Sequence, residues 1–218
     1  MADVAEFRDF ALPDPPTPKG VAMRDRLLTA AAAVFARKGY ELTRVEDIAR
    51  TAKTSYGNFY RHFRNKDELL IAVLRPLLDE IYGASRRRGR GSLPPTEAEF
   101  VQITVDYLQT YAKHRKLFRV MREAAARGDE ASFFSMWVNE RSRFTKRNEA
   151  WLTLLKARGV IAEDLDPEML AETLGAMTEQ MAYMKIGLAR EKPSDAEIRR
   201  IGSHCAKIWR RGVFGSVE

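Results

Sequence analysis

The sequence lacks the features that hold together secreted proteins or anchor membrane proteins. It has one cysteine, Cys205, so neither an internal disulfide nor a cysteine-rich metal cluster can form, and the lone thiol fits a reducing compartment. The longest apolar-rich run, at 27–36, is far too short to span a bilayer. Residues 1–10 are polar and acidic, without the apolar stretch of a signal peptide. We therefore expect a cytoplasmic protein without membrane contacts.

Residues that carry catalysis or bind metal are also scarce. The three histidines, His62, His114 and His204, are far apart in the sequence, and on a helix His204 and Cys205 would point about 100° apart. The sequence contains no His-x-x-x-His pair and no glycine-rich phosphate loop. The acidic stretch at 163–168 lacks the spaced oxygen ligands of a calcium loop. We therefore predict that the chain is not an enzyme and requires no metal or cofactor.

Positive charge is what the sequence has in excess. It contains 37 lysines and arginines against 30 aspartates and glutamates, a net charge of +7. Hydrophobic residues make up 45% and charged residues 31%, a globular composition that argues against general disorder. Residues 19–70 hold eleven basic and six acidic residues, a balance of +5. Most of the surplus lies in this segment, which favours a polyanionic partner such as nucleic acid or an anionic membrane.

Helical periodicity extends over nearly the whole chain after residue 19, and strand-like alternation is scarce. The pattern therefore predicts an all-α protein. Four prolines in residues 1–19 predict a disordered tail. Two glycines and two prolines at 86–95 mark the clearest break, and the arginines at 86–90 either contact phosphate or form a solvated basic loop. The predicted helices cover residues 21–38, 44–50, 55–61, 65–82, 96–113, 115–127, 129–158, 167–190 and 194–213.

Residues 43–61 have the dimensions of a helix-turn-helix, two short helices separated by a four-residue turn. Thr43 with Glu46 three residues later predicts a capping box at the start of the first helix. The second helix begins with side chains whose hydroxyl and amide groups suit phosphates and base edges, and its N-terminus favours a phosphate. These side chains are Thr54, Ser55, Tyr56, Asn58 and Tyr60.

The sequence pattern becomes recognisable over residues 30–35, 39–40, 43–49, 57–63 and 65–70. These segments closely resemble the N-terminal domain of TetR-family transcriptional regulators, at the family's spacing. The resemblance implies phosphate contacts for Thr43 and Lys66. It implies that Ser55, Tyr56 and Asn58 face the major groove. It also implies that Tyr60 and His62 lie near phosphate.

Two positions depart from the family pattern. Lys53 replaces a turn glycine that often adopts positive φ, so we expect some backbone strain there, and its ammonium could reach a phosphate. Tyr56 stands where lysine is common, so base preference does not carry over from relatives. Tyr56 either contacts a base or phosphate or lays its ring over the neighbouring helix.

The second half of the chain shows long apolar stripes at helical spacing. One runs from Phe134 to Leu155 and is interrupted by Arg141 and Asn148, which suits either a ligand pocket or an edge position. The last two helices carry coiled-coil-like seams fit for helix–helix packing. These seams are Leu170, Leu174, Met177, Met181, Met184 and Leu188, then Ile198, Ile201, Cys205, Ile208 and Gly212.

Residues 134–159 and 170–214 also resemble, more distantly, the sensor domain of the ethionamide-resistance repressor type within the family. In those relatives a narrow aromatic tunnel takes elongated apolar ligands. Gly175 and Thr178 fall where relatives have asparagines, so the polar contacts of any ligand differ here. The candidate lining residues are Phe100, Tyr107, Trp137, Phe144, Asn148, Met177, Thr178, Glu179, Tyr183 and Trp209.

We therefore predict a tail at 1–19, a DNA-binding domain at 20–65 and a ligand-binding and dimerisation domain at 66–218. The predicted function is a transcriptional regulator, a repressor released from an inverted-repeat operator by an apolar or aromatic ligand. The family resemblance implies a homodimer formed through the last two helices. The alternative is a constitutive DNA-binding or interaction module with a filled core and no physiological ligand.

Overall fold

A computed structural model describes residues 17–85, 95–126 and 132–215 of the chain. The predicted tail up to residue 16 and the basic stretch at 86–90 lie outside these ranges. Within them the regular structure is helical, so the all-α prediction is confirmed. The helices are α1 (Pro18–Lys38), α2 (Val45–Thr51), α3 (Tyr56–Phe59), α4 (Lys66–Ser85), α5 (Glu97–Lys113), α6 (Arg115–Ala125), α7 (Ser132–Ala157), α8 (Pro167–Ala182) and α9 (Asp195–Phe214).

Side-chain caps explain where several helices begin. Thr17 Oγ1 accepts a hydrogen bond from Gly20 N at 3.1 Å, and Pro18 takes the first helical position. The expectation that the four prolines of residues 1–19 leave this tail disordered is wrong at Pro18, because the first-turn N–H that proline lacks has no helical partner in any case. Helix α1 therefore starts three residues before the predicted position 21. Asp166 and Ser194 cap α8 and α9 near the predicted starts.

The predicted continuous helix at 167–190 is wrong beyond Ala182. A π-helical turn, Tyr183–Gly187, follows α8, and the N–H of Leu188 donates to the carbonyl of Tyr183 at 2.9 Å. The guanidinium of Arg115 then donates to the carbonyls of Ile186, Ala189 and Arg190. Arg115 thus satisfies carbonyls that a continuing helix would have bonded internally. The apolar spacing that predicted a helix at 167–190 carries no information about Arg115, which is distant in the sequence.

The described residues form two compact units, which we treat separately. The first unit contains the described residues of 1–77 and 116–140, and the second those of 78–115 and 141–218. Fully buried side chains of the first unit include Phe35, Ile48, Phe59 and Phe63. A core cluster of the second unit is built by Phe100, Leu152, Leu155, Ile161, Ala171, Leu174, Ala206, Trp209 and Val213.

Helix α9 packs closely on α5 within the second unit. A Cβ added to Gly202 would lie 2.7 Å from Val105 Cγ2, so only glycine permits this approach. Ile198, Ile201 and Cys205 are buried, so this part of the predicted α9 seam packs within the chain. Farther along the same seam, the Ile208 side chain is 40% exposed. In the described ranges, no helix combines the length and apolarity needed to cross a membrane.

Candidate nucleic-acid interface and ligand region

Asp47 fixes the start of α2 in the first unit. Its carboxylate accepts hydrogen bonds from Lys38 Nζ at 2.7 Å, from the Arg50 guanidinium at 2.6 Å and from Arg44 N at 3.4 Å. The hydrogen bond from Lys38 is the largest cause that holds the pKa of Asp47 below its ordinary value, against the opposing effect of burial. The carboxylate is therefore ionised at neutral pH and ties α1 to α2.

The predicted capping box of Thr43 and Glu46 is wrong. The N-cap is Arg44, and Asp47 rather than Glu46 reaches back to its backbone N–H. Thr43 is 2% exposed, and its hydroxyl donates to the carbonyl of Gly39 at 2.6 Å. The tight connection between α1 and α2 turns Thr43 inward to satisfy that carbonyl. A phosphate contact by Thr43 would require it to leave this position.

The turn between α2 and α3 is held by a side chain from α1. The guanidinium of Arg26 donates to the carbonyl of Ala52 and, at 3.2 Å, to the carbonyl of Lys53. Lys53 has φ of 51°, the one positive value among non-glycine residues in the described ranges, as the sequence led us to expect. Its side chain is exposed. Arg26 therefore stabilises a turn conformation that lysine rarely adopts.

Helix α3 has only four residues and ends before the predicted position 61. Ser55 caps it by accepting a hydrogen bond from Asn58 N at 3.1 Å, and Asn58 Nδ2 donates to Thr54 Oγ1 at 2.8 Å. Thr54, Ser55, Gly57, Asn58 and Arg61 line an open depression on the surface. Arg61 was not among the predicted contacts, although its charge in the family motif was a usable signal.

Two tyrosines project from this segment as a pair. The rings of Tyr56 and Tyr60 meet edge to face with centroids 4.9 Å apart, and their hydroxyl oxygens are 3.0 Å apart. Tyr56 is 49% exposed and Tyr60 is 45% exposed. The hydrogen bond with Tyr60 is the main cause that raises the pKa of Tyr56. The Tyr56 ring therefore rests on Tyr60, close by in the chain, and both rings remain open to a partner.

Lys66 and His62 are the remaining two predicted contacts. Lys66 Nζ donates to the carbonyls of Tyr40 at 2.9 Å and Thr43 at 3.2 Å, and it lies 4.0 Å from the centroid of the Tyr40 ring. This ammonium is thus engaged by the protein. Burial, followed by the charges of Arg24 and Arg61, lowers the pKa of the half-buried His62. His62 is therefore mostly neutral at pH 7 and adds little positive charge to the surface.

Three predicted ligand-lining residues lie in the packed core of the second unit. Trp209 and Phe100 are each 1% exposed. Trp209 Nε1 donates to Thr178 Oγ1 at 2.7 Å, and the Thr178 hydroxyl donates to the carbonyl of Leu174 at 3.0 Å. The centroids of the Phe100 and Phe214 rings are 6.0 Å apart. Direct packing of this kind is what the filled-core alternative requires.

The remaining candidates of the second unit are half-buried. They are Tyr107, Phe144, Asn148, Met177, Glu179 and Tyr183. Phe144 meets Tyr82 edge to face at 5.2 Å, and Glu179 lies 3.9 Å from the guanidinium of Arg141. Trp137 belongs instead to the first unit, where its ring lies 6.1 Å from Phe134.

An unpredicted feature of the second unit is the indole of Trp151. Its Nε1 is buried without a hydrogen-bond partner among the described residues. The ring lies 6.0 Å from Phe100 and 6.5 Å from Phe214. A buried N–H without an acceptor is costly, so it marks a place where a bound acceptor would be favourable. The sequence carried no signal for this, because whether an indole N–H finds an acceptor depends on packing.

Comparison with known proteins identifies both halves of the chain. The model for bacterial regulatory proteins of the tetR family matches residues 27–73. The model for the C-terminal domain of the transcriptional regulator EthR matches residues 101–215, more than half of the chain. The chain belongs to the TetR family. The resemblance read from the sequence is confirmed for both halves.

Individual relatives support the same assignment. The transcriptional repressor KstR2 of Mycolicibacterium smegmatis is 28% identical over 161 residues, covering 72% of this chain and 76% of the relative. The regulator EthR of the same organism is 22% identical over 201 residues, covering 92% and 90%. The solved structure of the ketosteroid transcriptional regulator KstR2 of Mycobacterium tuberculosis has a TM-score of 0.64 at 21% identity, covers 94% and 100% of the two chains, and shows the fold. The TetR-family chain is thus a DNA-binding transcriptional regulator, as predicted, and not an enzyme.

We predict that Lys53→Gly raises the free energy of unfolding by about 1 kcal/mol, because glycine adopts positive φ without the steric cost that lysine bears. Lys53→Ala is the matched control, since alanine removes the charge and keeps the strained φ. Urea unfolding followed by circular dichroism measures both. Equal stability of the two variants would show that position 53 is not strained.

Proposed function

We propose that this TetR-family protein is a repressor that binds an inverted-repeat operator as a homodimer and leaves it when an apolar small molecule binds. The observation that carries the proposal is the exposed surface of residues 53–61. Its side chains hydrogen-bond to one another, and the fully buried Phe59 anchors the segment in the core. We take the proposed DNA-binding domain as residues 20–65 and the proposed ligand-binding and dimerisation domain as residues 66–218. Such a regulator works on DNA in the bacterial cytoplasm.

The proposed DNA contacts come from the turn and the first residues of α3. A helix-turn-helix reads bases with the N-terminal residues of its second helix and positions itself by phosphate contacts. Ser55 and Asn58 already hydrogen-bond within this segment, so their orientation is set before DNA arrives. The residues that we propose face the DNA are Lys53, Thr54, Ser55, Tyr56, Asn58, Tyr60 and Arg61. The engaged side chains of Thr43 and Lys66 support a scaffolding role instead.

Exposed apolar side chains near the end of the chain support dimerisation through the last two helices. Met184 is 50% exposed, Leu188 46% and Ile208 40%. All three belong to the seams predicted from the sequence, whereas Ile198 and Ile201 of the α9 seam are buried. Large apolar side chains left open on neighbouring segments favour association with a second copy.

The proposed effector is an apolar molecule that carries a hydrogen-bond acceptor. The unpartnered Nε1 of Trp151 supports the acceptor, and the neighbouring Phe100 and Phe214 supply an apolar environment. One relative is named a ketosteroid regulator, and a steroid ketone combines these two properties. Trp209 and Thr178 instead hydrogen-bond directly to each other in the core. This contact favours the alternative, a constitutive regulator whose core is filled and holds no ligand at that position.

Selection of duplexes from a random library by the purified protein, at stated salt, tests the DNA proposal. We expect an inverted repeat whose half-site centres lie about 34–36 Å apart, one helical turn, or a larger fitted spacing. Arg61→Ala should weaken binding to all sequences and reduce the slope of log K against log salt by about 0.9. Arg158→Ala, which removes an exposed arginine just after α7, is the control of equal charge. A single unpaired half-site would contradict the dimer.

Thermal unfolding with a panel of steroid ketones and alkyl ketones tests the effector proposal. At one hundred times its Kd, a ligand that binds only the folded state adds about 2.7 kcal/mol to the free energy of unfolding. The same compound should release the protein from its selected duplex. Trp151→Phe should weaken the compound about tenfold, because it removes one hydrogen bond. Stabilisation without release would favour the constitutive alternative.

A further inference from the structure

Tyr56 and Tyr60 are exposed, yet they contact each other through both their rings and their hydroxyl groups. They are four residues apart, and they combine an edge-to-face ring contact at 4.9 Å with hydroxyl oxygens 3.0 Å apart. The ring of Tyr60 also meets Phe59 edge to face at 5.1 Å, and Phe59 is fully buried. The core therefore fixes Tyr60, and Tyr60 in turn fixes Tyr56.

The family resemblance implies that Tyr60 lies near a DNA phosphate, and we propose that Tyr56 is the positioning residue that prepares the Tyr60 hydroxyl for this contact, so that the two phenols act as one unit. The proposal rests on the DNA-binding function proposed above and deepens it. It assigns Tyr56 to affinity, whereas the family resemblance implied that Tyr56 faces the bases of the major groove.

The number of hydroxyl hydrogens determines how the two tyrosines can act together. Each phenol has one hydrogen to donate, so when Tyr56 donates to Tyr60 the hydrogen of Tyr60 remains for an outside acceptor. The raised pKa of Tyr56 fits this direction, because donating from the neutral form disfavours loss of its proton. A hydroxyl that accepts one hydrogen bond becomes a better donor of the next. Tyr60 is thereby prepared to donate to an anionic oxygen.

The position of the pair favours a phosphate over a base edge. Tyr60 is the C-cap of α3, whereas Ser55 and Asn58 lie at the N-terminal end that a helix-turn-helix directs into the groove. Arg61, next to Tyr60, is exposed and adds positive charge at this end. A donor at the rim of the interface with a neighbouring cation meets the backbone of the duplex.

A double-mutant cycle of Tyr56→Phe and Tyr60→Phe tests the proposal, because each change removes one hydroxyl and keeps the ring. Affinity is measured for a random-sequence duplex and for the selected operator at one salt concentration. We expect each single variant to lose about five- to tenfold on both duplexes, and the double variant to lose little more than either single variant. Tyr82→Phe, which removes a phenol from the second unit, is the control and should bind as the wild type does.

A titration of tyrosine absorbance on the free protein checks the pair without DNA. Tyr60→Phe should lower the pKa of Tyr56 towards the ordinary value of about 10. Additive losses in the cycle, or a Tyr56→Phe variant that changes base preference and keeps its affinity for random DNA, would overturn this proposal alone. Wild-type protein that binds neither duplex would overturn the proposed function as well, and that result is visible before any variant is made.

Discussion

The helix-turn-helix depends on hydrogen-bond partners for the backbone groups of its connecting turns. A helix-turn-helix this short has few helical hydrogen bonds, and each buried turn carbonyl or N–H needs a partner. Lys66 donates to the carbonyl of Tyr40, and Glu123 accepts from the N–H of Tyr40 at 3.2 Å. Arg26 donates to the carbonyl of Ala52. Charged side chains of α1, α4 and α6 thus hold both turns in place.

This constraint explains why a four-residue α3 can present a defined surface. Arg26 holds the carbonyls of the turn, so the hydrogen bonds of Ser55 and Asn58 can fix the direction in which the helix starts. The buried Phe59 anchors the segment, and the exposed residues around it are left for a partner. The same arrangement allows Lys53 to occupy a strained position, with its charge directed to solvent.

Much of this could be read from the sequence, and the exceptions share a physical cause. Local signals predicted the helices and the helix-turn-helix, since periodicity and spacing are properties of neighbouring residues. The partners of Thr43 and Lys66, which are the carbonyls of Gly39, Tyr40 and Thr43, could not be predicted because they depend on how the turn folds back. The family resemblance named Trp209 as a lining candidate, but nothing in the sequence indicated that its indole would hydrogen-bond to Thr178 in the core. A packed core and a lined pocket require the same apolar spacing.

Amide hydrogen exchange of the full chain, with and without a saturating duplex, tests most directly whether residues 53–61 form the DNA interface. We expect DNA to slow exchange in peptides covering residues 53–61, where most residues are exposed. We expect little change in the peptides of α5 that contain Phe100. Protection confined to the second unit, with residues 53–61 exchanging as in the free protein, would contradict a DNA interface at residues 53–61.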